Sequence, residues 1–124
     1  MYPADLKYTR DHEWIRVDGD TADVGITDYA QQQLGDVVFV ELPQVGRVLT
    51  QGEVFGTIES VKAVSVLFSR VAGEVVAVND ALTSAPEQVN SEPHAAWIIK
   101  VKPASAAELD ALLDAAAYQQ HVGA

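Results

Sequence analysis

A mainly β fold of the sandwich or barrel type, carrying short helices, is predicted by three features of the sequence. Apolar residues between positions 6 and 102 alternate or come in short β-branched runs, which is the spacing of strands. Residues that favour turns separate these runs. The runs number seven, and that many short strands cover one another's apolar faces by stacking or closing into a barrel.

The expected strands are Glu13–Val17, Ala22–Ile26, Val37–Leu42, Glu53–Ile58, Ala63–Phe68, Gly73–Val78 and Trp97–Val101. Asp18-Gly19-Asp20, Pro43 with Gly46, Gln51-Gly52, Ala72-Gly73 and Asn79-Asp80 punctuate them. Thr27 is placed to cap a helix over Asp28–Leu34, with Asp28 at its positive end and Gly35 free to stop it in the left-handed conformation. Residues 81–96, containing Pro86 and Pro93, read as a loop with about one helical turn. Further on, Ser105-Ala106-Ala107-Glu108 is a capping-box pattern, and Leu109, Leu112, Leu113 and Ala116 fall on one helical face. Residues 104–121 are therefore expected to pack on the sheets as the helical end of a single domain, 1–124, with Asp114 able to cap a separate turn from Ala115. A faint duplication relates Val45–Gly52 to Val71–Val78, each a small-residue turn leading into β-branched residues.

Composition removes several kinds of chemistry. The 124 residues include 8 Lys+Arg against 18 Asp+Glu, a net charge of −10, and no cysteine. A chain this long buries about two-thirds of its unfolded surface and needs no covalent staples. Without cysteine there is no disulfide, thiolate nucleophile, CxxC pair, cysteine zinc site or iron–sulfur ligation, so sulfur chemistry has to ride on an attached group. Excess negative charge and scattered cations disfavour nucleic acid and anionic membrane surfaces. No run of 18 apolar residues occurs, and the first ten residues have neither an apolar stretch nor an Arg/Ser-rich amphipathic one, so a cytoplasmic location is expected. His12, His94 and His121 show no metal-ligand spacing, and no GxSxG, P-loop or GxGxxG motif is present. Trp14, Trp97 and Phe39 read as core or edge packing. With no apolar stripe left after the core is assigned, a monomer is expected.

Residues 54–69 form one unbroken β pattern. Extended, those sixteen residues would span about 50 Å, whereas a compact domain of this size is about 35 Å across. The run has to fold back, and equal arms put the reversal at Val61-Lys62. A lysine there projects into water with nothing beside it, its amine open to a modifying enzyme. Exposed lysines are mostly silent. Around this one, Glu59, Ser60, Val61, Ala63, Val64 and Ser65 supply small or β-branched neighbours that hold a tight hairpin without crowding the amine.

Several ordered motifs carry a resemblance that covers nearly the whole chain. They are Lys7-Tyr-Thr-Arg-Asp-His-Glu-Trp14, Val24-Gly-Ile-Thr-Asp-Tyr-Ala-Gln31, Leu34-Gly-Asp-Val-Val-Phe-Val-Glu-Leu-Pro43, Glu59-Ser-Val-Lys-Ala63, Gly73-Glu-Val-Val-Ala-Val-Asn79, Val89-Asn90 and Leu112-Leu-Asp114. In these the sequence resembles the H-protein family of the glycine cleavage system. The resemblance implies a barrel-sandwich hybrid, two small sheets with the modified lysine on a hairpin. It implies a non-catalytic carrier with lipoate in amide linkage to Lys62, within Glu59, Ser60, Val61 and Ala63 as its attachment motif. Its partners would be the pyridoxal-phosphate glycine decarboxylase (P protein), the tetrahydrofolate-dependent aminomethyltransferase (T protein), the dihydrolipoyl dehydrogenase (L protein) and a lipoyl-attaching enzyme. The cofactor brings the hard chemistry, and the protein supplies position, reach and protection. Tethering also raises the arm's effective concentration at each docked enzyme.

Such carriers shelter the loaded arm from hydrolysis, and the resemblance puts Glu13 beside the sheltering cleft, where its carboxylate would meet the arm's ammonium group. The competing reading of Glu13 is an exposed strand residue. Three positions depart from the family pattern. Val66 stands where an acidic residue is usual, with Asp11 a candidate electrostatic substitute; Arg70 stands where proline is common; and Pro93-His94-Ala95-Ala96-Trp97 replaces a more glycine-rich loop. Biotin carriers place their lysine between methionines, whereas Lys62 lies between Val61 and Ala63. Lipoyl domains of 2-oxoacid dehydrogenases are generally shorter and lack the His-Glu-Trp start. The nearer alternative is an H-like relay that keeps the lipoyl lysine but serves another lipoate-dependent pathway.

Overall fold

The computed structural model describes residues 2–105 and 107–123. The strands are β1 (Lys7–Tyr8), β2 (Glu13–Asp18), β3 (Thr21–Ile26), β4 (Val37–Glu41), β5 (Val48–Leu49), β6 (Glu53–Ser60), β7 (Val64–Ser69), β8 (Gly73–Val78) and β9 (Ile99–Pro103). The helices are α1 (Asp28–Leu34), α2 (Ala81–Ser84), α3 (Gln88–Ser91), α4 (Ala107–Asp110) and α5 (Ala115–Val122). Six strands pair in the order β1-β2-β3-β9-β8-β5, three in the order β4-β6-β7, and every pairing is antiparallel. The two sheets share one core: Ile15, Val24 and Ile99 from the larger sheet and Val40, Phe55 and Ile58 from the smaller belong to the same buried cluster. Each such side chain contributes roughly 1.5–3 kcal/mol by leaving water.

The seven expected strands are all present, with ends moved by up to two residues. The strand expected at Trp97–Val101 runs Ile99–Pro103 instead. Two further strands, β1 and β5, are two residues each. The faintly similar segments meet directly, since Val48 pairs with Glu74 and Leu49 with Gly73. Residues 81–96 hold two single-turn helices rather than one.

Helix α1 starts as its sequence dictates, with Thr27 Oγ1 accepting the Ala30 N–H at 3.2 Å. Its stop differs from the expected left-handed one. Gly35 has φ 86° and ψ −164°, an extended mirror region essentially confined to glycine.

The C-terminal leucines do not share a helix. Leu112 and Leu113 lie between α4 and α5, and Leu113 exchanges backbone hydrogen bonds of 2.7 and 2.8 Å with Tyr8. Asp114 caps α5 by accepting the Ala117 N–H at 2.8 Å. The capping box is half formed: Ser105 Oγ accepts from Ala107 N–H at 3.3 Å, but Glu108 turns to Ala72 N–H at 2.8 Å, and Ala106 lies outside the described residues. Helix α5 buries Tyr118 against Tyr8, rings stacked at 4.8 Å, in a second cluster with Leu6 and Trp14.

Trp14 is fully buried and Trp97 half-buried, whereas Phe39 is 49% exposed on the edge strand β4. Pairing across the small sheet sets Phe39 beside Glu59 and Glu59 beside Val64, all exposed, so apolar side chains do remain outside the core on this sheet, interrupted by the Glu59 carboxylate.

Candidate functional site

Strands β6 and β7 pair in the register Glu59 with Val64, Ile58 with Ser65 and Thr57 with Val66. Ser60 N–H donates to Ala63 O at 2.8 Å, so the loop has only two residues, Val61 and Lys62. Two-residue hairpins usually need left-handed residues such as Asn or Gly. Neither loop residue here has positive φ. Ser60 makes up the difference, because its Oγ accepts from Lys62 N–H at 3.3 Å and Ala63 N–H at 3.1 Å. Val61 N–H donates to Asp36 O at 3.1 Å and ties the tip to the segment entering β4.

Lys62 is exposed and forms no salt bridge among the described residues. It does not stand wholly free, as the sequence suggested. Its methylenes lie along Gly35, where an added Cβ would come within 3.2 Å of Lys62 Cε and 3.7 Å of Cδ. Asn90 of α3 braces that support. Its Nδ2 donates to Gly35 O at 2.9 Å and Gln31 Oε1 at 3.0 Å, while its Oδ1 accepts Val37 N–H at 2.8 Å. Sequence reasoning quoted Asn90 within a motif but gave it no task. An amide next to a valine carries no signal of what lies 55 residues away.

Glu13 is 3% exposed, so the exposed-strand reading is wrong. Thr9 Oγ1 donates to its Oε1 at 2.9 Å and Phe68 N–H to its Oε2 at 3.1 Å. Burial pushes the carboxyl up to about 7, against the opposing pull of those two donors. Glu13 and Asp11 line a small cleft of about 50 Å³ whose other walls include Leu34 of α1, Ile58 of β6 and Val66 of β7. The elements that hold Lys62 thus also wall this cleft. Arg70 donates to Asp11, so the position where proline is common pairs with the candidate substitute for the missing acidic residue. A wider groove of about 880 Å³ lies at the end of β6 away from the hairpin, between Glu41–Arg47 and Val54–Thr57.

Two histidines that are distant in sequence come together. His12, the one non-glycine residue with positive φ (71°) among the described residues, has its ring 5.5 Å from that of His121. Its Nδ1 lies 2.8 Å from Tyr118 OH, itself 2.6 Å from Thr27 Oγ1. Burial, then the neighbouring His121, lowers the pKa of His12. Among the described residues no three His, Cys, Asp or Glu side chains are grouped to hold a metal ion.

Residues 6–124 match the family described as Glycine cleavage H-protein. The chain belongs to the glycine cleavage H-protein family. It is 57% identical over 121 residues to the Glycine cleavage system H protein of Acidobacterium capsulatum, covering 98% of this chain and 94% of that one. It is 60% identical over 124 residues to the protein of the same name from Bacteroides fragilis, covering 99% and 98%. The fold matches the crystal structure of a glycine cleavage system H protein from Mycobacterium marinum with a TM-score of 0.91 at 39% identity, over 99% of this chain and 100% of that one. The two-sheet architecture is therefore the barrel-sandwich fold of the H-protein family.

Proposed function

We propose that this chain is the lipoyl-bearing carrier of the glycine cleavage system, with lipoate in amide linkage to Lys62 Nζ. The observation that carries the reading is Lys62 itself, exposed on a two-residue turn inside Glu59-Ser60-Val61-Lys62-Ala63, in a chain that matches the family over residues 6–124. The residues present fit an amide-linked arm, since Lys62 is exposed and unpaired by any salt bridge among the described residues. When bound, lipoate supplies the reducible disulfide that this cysteine-free chain lacks and the capacity to carry a one-carbon amine between enzymes.

The chain's own residues do the positioning. Ser60 fixes the turn, and Gly35, held by Asn90, forms the floor along which the lysine stem runs. The cleft bearing Glu13 keeps bulk water from a docked arm tip, and its carboxylate is the counter-charge for an ammonium there. The chain is non-catalytic: it presents the arm to the glycine decarboxylase, the aminomethyltransferase and the dihydrolipoyl dehydrogenase, and receives it from a lipoyl-attaching enzyme. It acts as one cytoplasmic carrier domain, a monomer, with 104–121 packed on its sheets; among the described residues no helix is long and apolar enough to cross a membrane.

Intact-mass measurement of the chain expressed with a lipoyl-attaching enzyme tests the attachment. A lipoyl increment that disappears in Lys62→Arg is expected, and an increment retained in that variant overturns the assignment. Adding the decarboxylase and glycine then separates the two carrier roles. Charging of the arm supports the shuttle, whereas a lipoylated chain that stays uncharged supports the relay.

A further inference from the structure

Tyr118 of α5 and Thr27, the cap of α1, are both 0% exposed, and their side-chain oxygens lie 2.6 Å apart. Tyr118 OH also lies 2.8 Å from His12 Nδ1, and Thr27 Oγ1 accepts the Ala30 N–H at 3.2 Å. Among the described residues neither hydroxyl has a further partner.

Counting hydrogens fixes the direction of this chain. Two contacts, Thr27 to Tyr118 and Tyr118 to His12, have to take up every polar hydrogen that the three side chains bring to them. With His12 Nδ1 bare, each hydroxyl brings one, so Thr27 donates to Tyr118 and Tyr118 donates to Nδ1. With Nδ1 protonated, one hydrogen too many is present, and it has no acceptor where water does not reach. The docked arrangement therefore calls for a neutral His12 with its hydrogen on Nε2. An imidazolium, protonated on both nitrogens, leaves the chain one acceptor short.

The surroundings of His12 supply no counter-charge. On α5, His121 stacks beside it with ring centroids 5.5 Å apart and planes at 28°, so a second cation there repels the first. His121 donates Nε2–H to Arg10 O at 3.0 Å, and Arg10 adds a cation to the same turn. On α1, Tyr29 presents a neutral ring 4.6 Å away, and Asp28 is engaged by Gln31 and Gln32. The flanking acids face elsewhere, Asp11 to Arg70 and Glu13 to Thr9 and Phe68. Tyr8 and Tyr2 pack on the Tyr118 ring, at 4.8 and 5.0 Å.

We propose that α5 is an acid-released latch: protonation of His12 opens the Thr27–Tyr118–His12 chain and frees the C-terminal helix from the rest of the domain. Each opening takes up one proton from solvent on His12 Nδ1, and no covalent bond between heavy atoms changes. Once released, His12 titrates as an ordinary histidine, so docking is strongest above about pH 6.5 and weakens as the pH falls through that value. Release uncovers the cluster containing Tyr8 and Trp14. It also unties Thr27, whose helix leads to Gly35 beneath Lys62.

Long-range ¹H–¹⁵N NMR of the full chain at pH 7.5 should show His12 as the Nε2–H tautomer. Amide hydrogen exchange over residues 118–122, corrected for the intrinsic effect of pH, should lose about tenfold of its protection between pH 7.5 and 5.5. Strands β8 and β9 should keep theirs. His12→Asn retains an acceptor in place of Nδ1, suits the left-handed backbone at φ 71° and takes up no proton, so its α5 should be equally protected at both pH values. His121→Gln removes the second imidazole and should keep most of the drop. The proposal is overturned by an Nδ1–H tautomer at pH 7.5, by a parent whose α5 protection ignores pH, by a drop that survives in His12→Asn, or by one that vanishes in His121→Gln. The first two results are read on the natural chain, whether or not the variants fold.

Discussion

The side chain of Lys62 lies across Gly35, so close that a Cβ on Gly35 would stand 3.2 Å from Lys62 Cε. Two demands from separate parts of the fold converge on this glycine. Helix α1 has to turn sharply into β4, which it does at φ 86° and ψ −164°, and the lysine stem needs a floor without a side chain. Asn90 serves both by holding Gly35 O and Val37 N–H on either side of the bend.

Replacing Gly35 by alanine should therefore fail twice. The backbone strain is expected to lower stability by about 1–3 kcal/mol in urea denaturation. The new methyl should also displace the lysine stem, so the rate of lipoyl attachment to Lys62, followed by intact mass on still-folded protein, should fall. Unchanged attachment would show that the floor has no part in presenting the amine.

Ser60→Ala removes the hydroxyl that substitutes for left-handed residues at the tip. The loss of its bonds to Lys62 N–H and Ala63 N–H should cost about 1 kcal/mol. Amide hydrogen exchange at Lys62 and Ala63 should accelerate, with β8 and β9 unaffected. Ser60→Thr keeps the oxygen and should restore most of the protection.

The hairpin was legible in the sequence because it follows from arithmetic: sixteen extended residues do not fit inside a domain of this size, so the chain reverses near Lys62. Helix α1 was legible because its cap is local, Thr27 reaching three residues ahead. Strands β1 and β5 were not, since two residues hold no period. Glu13 stayed open between a cleft carboxylate and an exposed strand residue because β2 departs from alternation: Glu13, Trp14 and Ile15 are all buried. Ile15 meets the main core and Trp14, on the opposite face, joins the second cluster with Tyr8 and Tyr118, while Glu13 bonds Phe68 N–H of β7, a contact across 55 positions that no local pattern encodes. Glu108 likewise abandoned its local cap for Ala72, and Leu113 its helix for Tyr8. In each case a tertiary partner outweighed the local propensity.

Gly25→Ala tests how tightly the start of β2 is packed. Gly25 pairs with Trp14 across β2 and β3, and a Cβ there would lie 2.5 Å from the indole Cε2 and Cζ2. The indole is fully buried, its N–H donating to Pro93 O at 2.8 Å, and so has nowhere to move. A loss of about 1–3 kcal/mol is expected, with a red shift in tryptophan emission as the Trp14 ring is forced toward solvent.

Glu13 leaves a pH signature whose sign is fixed by the direction of its shift. Burial raises its carboxyl from 4.5 to about 7, so between those values the folded chain binds a proton that the unfolded chain has released. The stability this confers is complete below pH 4.5 and is lost as the pH rises through 7, on the order of 3 kcal/mol in all. Glu13→Gln should abolish that loss. At pH 5 the parent's protonated carboxyl, like the amide, has one accepting oxygen and one donating end for the Thr9 hydroxyl and Phe68 N–H, so the variant should lie within about 1 kcal/mol of the parent there and equal or pass it by pH 8. Urea titrations of both chains across this range give the difference directly, and the contribution of His12, lowered in the opposite sense, cancels in the comparison. Parallel curves would mean that Glu13 stays ionised throughout, with the Thr9 and Phe68 bonds overriding burial. The cleft would then hold a permanent negative charge rather than one that appears near neutrality.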